Sequence, residues 1–185
     1  DASIPEEIGN LGASGIATEW ALLSYFAQAG YSFKNRYVLS AAVRRDGSSR
    51  FGENNRNGFF PAVSAAWRIA EEDFFKWNEV SELKLRASYG LTGNDDIPAF
   101  LYAALYGITT YNGQPGVYPS NIPNPDLKWE STTQLNLGLD LGLFDNRIVL
   151  SADFYNKQTK DLLLARPLPT SSGFGTITEN VGSVE

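Results

Sequence analysis

KWESTTQLNLGLDLGLFDNRIVLSADFY, residues Lys128 to Tyr155, alternates with a period of two. Leu135, Leu137, Leu139, Leu141 and Leu143 are apolar; Gln134, Asn136, Gly138, Asp140 and Gly142 stand between them. Successive side chains of a β-strand point to opposite faces, so this run is a strand with one greasy face and one wet face. A short turn ending at Arg147 starts a second alternating run. There Ile148, Leu150, Ala152 and Phe154 oppose Val149, Ser151, Asp153 and Tyr155. Two such strands of about ten residues, joined by a tight turn, suit a hairpin of a transmembrane β-barrel.

Outward from this hairpin the same pattern recurs. A strand is expected from Trp20, with Leu23, Tyr25, Ala27, Ala29 and Tyr31 on one face, then a short turn at Ser32 to Arg36. Tyr37, Leu39, Ala41 and Val43 carry the apolar face on, and Arg45 to Asn57 reads as a polar loop. A third strand is expected from Gly58 to Ile69 and a fourth from Leu83 to Leu91. Between them Glu71, Glu72 and Asp73 head a single helical turn. Asn94 to Asp126 reads as a long loop holding Pro98, Pro115, Pro119, Pro123 and Pro125, with a short strand through Leu101 to Ile108. Residues 1–19 read as loop, and the chain from Lys157 onward as a strand end, a Pro-flanked loop and the start of another strand. Connections therefore alternate between short and long, the asymmetry of outer-membrane barrels. A soluble β-sandwich or β-rich module is the other architecture this pattern admits.

Composition narrows the chemistry. The chain has no cysteine, histidine or methionine. A disulfide framework is excluded, and zinc or copper sites of the usual kind and a Ser/His/Asp triad lose their ligands or base. No P-loop is present. No cofactor, metal or enzymatic activity is expected. The net charge of −6 argues against a basic surface for nucleic acid. No apolar run reaches the about 18 residues of a transmembrane helix, which leaves barrel strands untouched. The chain starts without Met and ends in extended-looking sequence, so it reads as an internal fragment.

Five stretches resemble one family. They are YSFKNRYVLSAAVRRDGSSRFG (Tyr31 to Gly52), FPAVSAAWRIAEEDFF (Phe60 to Phe75), LKLRASYGLTGN (Leu83 to Asn94), NPDLKWESTTQLNLGLDLGLFDNR (Asn124 to Arg147) and NVGSVE (Asn180 to Glu185). Together they resemble the C-terminal half of the barrel of SusC/RagA-type TonB-linked outer-membrane transporters of Bacteroidetes. The resemblance implies an all-β fold: antiparallel strands forming an open part of a plugged barrel of about 22 strands. Residues 1–185 would all be barrel, with no plug domain. It further implies a Gram-negative outer-membrane location, contact with outer-membrane lipid, and uptake of bulky oligosaccharides or peptides. TonB would energise that uptake, acting through the missing N-terminal part, and a SusD-like surface lipoprotein would act as lid. The runner-up function is a soluble β-rich carbohydrate-binding module.

Candidate site residues are few. Tyr102, Tyr106, Tyr111 and Tyr118 lie in the long, proline-rich loop, where aromatic faces can stack on sugar rings; the structural alternative is loop packing or an interfacial girdle. Trp67, Trp77, Trp129 and Tyr155 read as girdle residues. Arg44, Arg45, Asp46 and Arg50 could grip an anion but read better as a strand-end turn with paired charges. Asp95 and Asp96 could bind calcium but lack a spaced glutamate, so loop solvation is the better reading. Glu71, Glu72 and Asp73 read as turn acids rather than catalytic carboxylates.

Overall fold

The computed structural model describes residues 18–185. The expected opening loop lies almost wholly outside the described residues. Strands β1 (Leu22–Phe33), β2 (Tyr37–Ser48), β3 (Asn57–Arg68), β4 (Val80–Asn94), β7 (Glu130–Leu143), β8 (Ile148–Lys160) and β11 (Ser183–Val184) form one antiparallel sheet. Chain order and spatial order agree, so the sheet is a meander. Two hairpins stand apart from it: β5 (Tyr106–Tyr111) with β6 (Gln114–Pro119), and β9 (Leu163–Pro167) with β10 (Thr176–Asn180).

The register explains why these residues pair as they do. Tyr31, Leu39, Ala65, Ala87, Leu137 and Phe154 are successive partners across six strands. One residue further along lie Gly30, Ser40, Ser64, Ser88, Asn136 and Tyr155, also successive partners. The first row is wholly apolar or aromatic; the second is small or polar apart from the tyrosine that ends it. A slip of one residue in any strand would place a polar side chain in the apolar row, so alternation fixes the register. The six main-sheet strands β1, β2, β3, β4, β7 and β8 are 12 to 15 residues long. A tilted strand needs about 9–11 residues to cross a bilayer.

The connections alternate as the pattern predicts. Residues 34–36, 69–79 and 144–147 link strands at one rim; residues 49–56, 95–129 and 161–182 link them at the other. Several boundaries differ from expectation: β1 starts at Leu22 rather than Trp20, and β4 at Val80 rather than Leu83. β2 runs on through Arg45, Asp46 and Gly47, because these pair with Phe59, Gly58 and Asn57. β4 extends to Asn94, whose partner is Glu130. The turn after β3 is a single 3-10 turn, Ile69–Glu71.

The buried hydrophobic core is small and sits at the long-loop rim. Phe51, Phe60, Ile97, Leu127 and Trp129 form it, and Phe51 and Leu127 are fully covered. Trp129 thus packs in a core rather than in a girdle: its ring lies 5.3 Å from Phe51 and 5.4 Å from Phe60. Its indole N–H also needs an acceptor once covered, and finds Arg56 O at 3.0 Å. Tyr155 likewise leaves the expected girdle, since it belongs to the polar row. Trp67 stays with the aromatics of the short-turn rim, where Tyr31, Phe33, Tyr37 and Trp67 follow one another at centroid spacings of 6.5, 6.4 and 6.3 Å.

Candidate functional site: the long-loop rim and the polar wall

Charged groups on the polar side cluster where one strand lacks a side chain. Arg86, Gly138 and Asp153 are successive partners on β4, β7 and β8. A Cβ on Gly138 would stand 2.6 Å from Asp153 Oδ1 and 2.7 Å from Arg86 Cζ. The glycine therefore lets the Arg86 guanidinium cross a whole strand. It reaches Asp153 at 3.0 Å and grips Asp140 through two bonds of 2.8 and 3.0 Å. Lys84 at 3.4 Å and the Ser151 hydroxyl at 3.0 Å complete the shell around Asp140. Both carboxylates are held by cations, so the cluster is a fixed polar wall without a free acid or base.

At the short-turn rim, the Glu72 carboxylate accepts from the Tyr37 hydroxyl at 2.5 Å and from the Trp67 indole at 2.9 Å. These two bonds are the main reason its acidity is strengthened, and the Arg36 guanidinium adds to them against the opposing effect of burial. Asp73 is also held below its usual range, chiefly by the hydrogen bond from Arg36. Glu72 and Asp73 thus anchor Arg36; the acids do not head a helical turn as expected, because Glu71 ends the 3-10 turn and the other two follow it.

The long connections are stitched to one another. Ser48 donates to Asp95 Oδ2 at 2.7 Å and Arg50 donates to Asp95 O at 2.9 Å. Arg44 and Asp46 pair at 2.7 Å, and Arg50 lies 3.4 Å from Asp96. Asn180 Nδ2 bridges Lys128 O and Asp161 O at 2.8 and 2.9 Å, and Asn124 Nδ2 reaches Thr178 O at 2.9 Å. Asp95 and Asp96 are occupied by these protein donors. Among the described residues no three acidic side chains gather as a metal site would require.

The four tyrosines do not converge. Tyr102 is half-buried in the turn before β5. Tyr106 and Ile108 point to one face of the β5–β6 hairpin, Tyr111 and Tyr118 to the other, by strand alternation. Tyr106, Tyr111 and Tyr118 are exposed. Tyr118 lies across Gly107, whose missing Cβ leaves room for the ring. The strand expected through Leu101 to Ile108 begins only at Tyr106 and runs to Tyr111, and a second strand, absent from the expectation, follows it. The signal for the second was the Asn112–Gly113 pair: both have positive φ, 49° and 76°, as a tight hairpin turn requires.

The β9–β10 hairpin was also missed, because its strands have five residues each and a long connection between them. Arg166 grips Glu179 across it at 2.7 and 2.9 Å, and that bond holds the Glu179 carboxyl below its usual range. Between the two hairpins lies an open cavity of about 400 Å³, walled by the segment from Tyr118 to Ile122 and the segment from Gly173 to Thr178. A larger hollow of about 860 Å³ lies mainly against the apolar rows, with Leu39, Ala65, Leu85, Leu137 and Phe154 in its wall. That wall has few polar groups to orient a solute, so the smaller cavity is the better ligand site.

These features define the wall of a membrane β-barrel, with short turns at one rim and joined long loops at the other. The model of the family described as TonB dependent receptor-like, beta-barrel matches residues 5–185, and the chain belongs to that family. It is 48% identical over 179 residues to TonB-dependent receptor P39 of Formosa agariphila, covering 95% of this chain and 17% of that protein. It is 41% identical over 179 residues to TonB-dependent receptor SusC of Bacteroides thetaiotaomicron, covering 91% of this chain and 18% of that protein. Among solved structures, the RagAB peptide importer in its 'closed-closed' state matches with a TM-score of 0.85 and 40% identity over 90% of this chain and 18% of that one. The chain thus spans less than a fifth of the length of these relatives.

Proposed function

We propose that this chain is part of the barrel wall of an outer-membrane transporter that imports bulky oligosaccharides or peptides. The observation that carries the reading is the pair of adjacent rows, one apolar and one mostly small and polar, running in register across six strands. The apolar row faces lipid and the polar row a hydrated lumen. A soluble module would not expose Leu39, Val63, Leu137, Leu150 and Phe154 on one face. The similarity to SusC and to a solved peptide importer supports the transport class. TonB would supply energy through parts of the protein beyond this segment, and a SusD-like lipoprotein would close the long-loop rim.

On this reading Tyr106, Tyr111 and Tyr118, at the exposed rim, meet cargo or lid, and Tyr102 supports the loop beneath them. The whole protein is the object to test. Cells carrying the full-length gene should place it in the outer membrane and take up a nutrient only while TonB is energised. A full-length protein recovered in the soluble fraction would defeat the reading.

A further inference from the structure

The β9–β10 hairpin is a two-stranded sheet, and its inner bonds fix which backbone groups face outward. Leu168 N–H donates to Gly175 O, and Val181 N–H donates to Leu162 O. Both continue the register that pairs Ile177 with Arg166 and Glu179 with Leu164. In an antiparallel ladder, hydrogen-bonded and non-bonded pairs alternate. Thr176, Thr178 and Asn180 therefore turn their N–H and C=O groups away from β9. Two observations agree: Pro167, which has no N–H, stands opposite Thr176, and Asn124 Nδ2 reaches Thr178 O from outside.

Among the described residues, the Thr176 N–H, the Thr176 C=O and the Thr178 N–H find no partner. Thr176 and Thr178 both line the 400 Å³ cavity. The facing wall is built the same way. Ser120 N–H donates to Leu105 O, so the neighbouring Pro119 turns its carbonyl away from β5. No charged side chain lines the cavity; its polar side chains are Tyr118, Ser120, Asn121, Thr176 and Thr178. A site made of strand-edge backbone groups in a row matches a ligand with the same alternation of donors and acceptors. An extended peptide has it; a sugar chain does not.

We propose that this cavity takes an extended peptide segment, which adds to β10 as a further strand. Thr176 would supply one donor and one acceptor and Thr178 a second donor, with Tyr118 lying beside the bound chain. This rests on the reading that the long-loop rim faces the incoming cargo.

The test uses the full-length protein in detergent and Ser-Val-Thr-Val-Ser-amide carrying fluorescein on its N-terminus through a β-alanine spacer. Two further versions of the peptide carry N-methyl groups, one at the valines and one at the other residues. Strand addition uses alternate N–H groups, so one methylated version should bind about tenfold or more weakly and the other nearly as well as the parent. Thr176→Pro removes an outward donor without touching the β9–β10 ladder and should also weaken binding about tenfold; Thr176→Ser should not. Equal affinity for all three peptides overturns the proposal. So does a Thr176→Pro protein that keeps heat-modifiable barrel migration and binds like the parent. If that variant does not assemble, the methylated pair decides alone. Binding of maltoheptaose but of no peptide would place a glycan here instead and overturn the proposal. Loss of TonB dependence in whole cells would strike the transport reading, while leaving the peptide result on purified protein to stand by itself.

Discussion

Asn136 on β7 donates its side-chain N–H to Ser88 Oγ on β4 at 3.1 Å, while their chain neighbours Leu137 and Ala87 pair on the opposite face. Polar and apolar contacts thus alternate residue by residue across a single ladder. Leu139→Arg puts a charge between Leu85 and Ala152 on the apolar side. In the intact barrel it should cost about 2–4 kcal/mol near the bilayer midplane. Asn136→Arg points into the polar row and should cost much less. Equal destabilisation of the two in a membrane-folding titration would mean the faces are assigned wrongly.

At the long-loop rim, the Phe60 ring fills the space that a Cβ on either Gly58 or Gly93 would need. Phe60 is buried against Trp129 and has nowhere to swing. Gly93→Ala should therefore destabilise the folded full-length barrel by about 1–3 kcal/mol through overpacking. Trp129→Ala should cost about 3–5 kcal/mol by opening a cavity. Gly175→Ala is the control: a Cβ there meets nothing, and the change should stay within about 0.5 kcal/mol. Urea midpoints of the purified barrels compare the three.

Much of this architecture was legible in the sequence, for a physical reason. Strands with one apolar face write their register into the chain, and Leu135 to Leu143 or Leu83 to Leu91 need no partner to be read. Trp129 was misjudged because a lone tryptophan beside a strand gives no sign of whether lipid or other side chains will cover it. Its cover comes from Phe51 and Phe60, far away in the chain. The two small hairpins were hidden because each strand has only five or six residues and their faces are mixed. The tyrosines were visible as a group, but alternation across Asn112–Gly113 sends them to different sides.

The short-turn rim should respond to acid. The folded state lowers the Glu72 pKa below its ordinary value of 4.5, first through the Tyr37 hydrogen bond and then through that of Trp67. A depressed carboxylate contributes stability that is fully present above the unfolded pKa. That contribution is lost as pH falls through the lower folded value. Denaturation midpoints of the full-length barrel should therefore decline on acidification below about pH 4.5. Glu72→Gln should flatten that decline while lowering the neutral-pH midpoint. An unchanged acid limb in the variant would show that Glu72 does not carry it.

Gly138 should be as important to the polar wall as the charges beside it. Gly138→Val would place a branched side chain between the Arg86 guanidinium and the Asp153 carboxylate. Arg86 could still hold Asp140, which lies diagonally from it across the β4–β7 ladder beside Lys84, but would lose Asp153 at 3.0 Å. The freed Asp153 lies half-exposed on the polar side, so stability should change by no more than about 1 kcal/mol. The Asp153 carboxylate would then stand on the polar face without its cation, at unchanged net charge. In planar bilayers, a channel version of the barrel should then favour cations more than the parent does, and Asp153→Asn in the same background should reverse the shift. Unchanged ion preference would mean that the wall at this height is shielded from the conducting path.

The last expectation concerns the β5–β6 hairpin. Its strands bond to each other and not to the barrel sheet, and Asn121 anchors its base by accepting from Leu105 N–H and donating to Ala103 O at 2.7 and 3.0 Å. Replacing Tyr106–Pro119 with two glycines removes the hairpin and keeps this anchor. The full-length barrel should still assemble and show heat-modifiable migration. If the exposed tyrosines meet cargo, uptake of the native nutrient should fall, and Tyr118→Ala alone should weaken binding by about 1 kcal/mol. Tyr106→Ala should have less effect on the cavity, because Tyr106 points to the other face of the hairpin. Uptake and migration can be measured on one strain. Unchanged uptake with an intact barrel would reduce these tyrosines to surface side chains, and failed assembly would make the hairpin part of the barrel's folding instead.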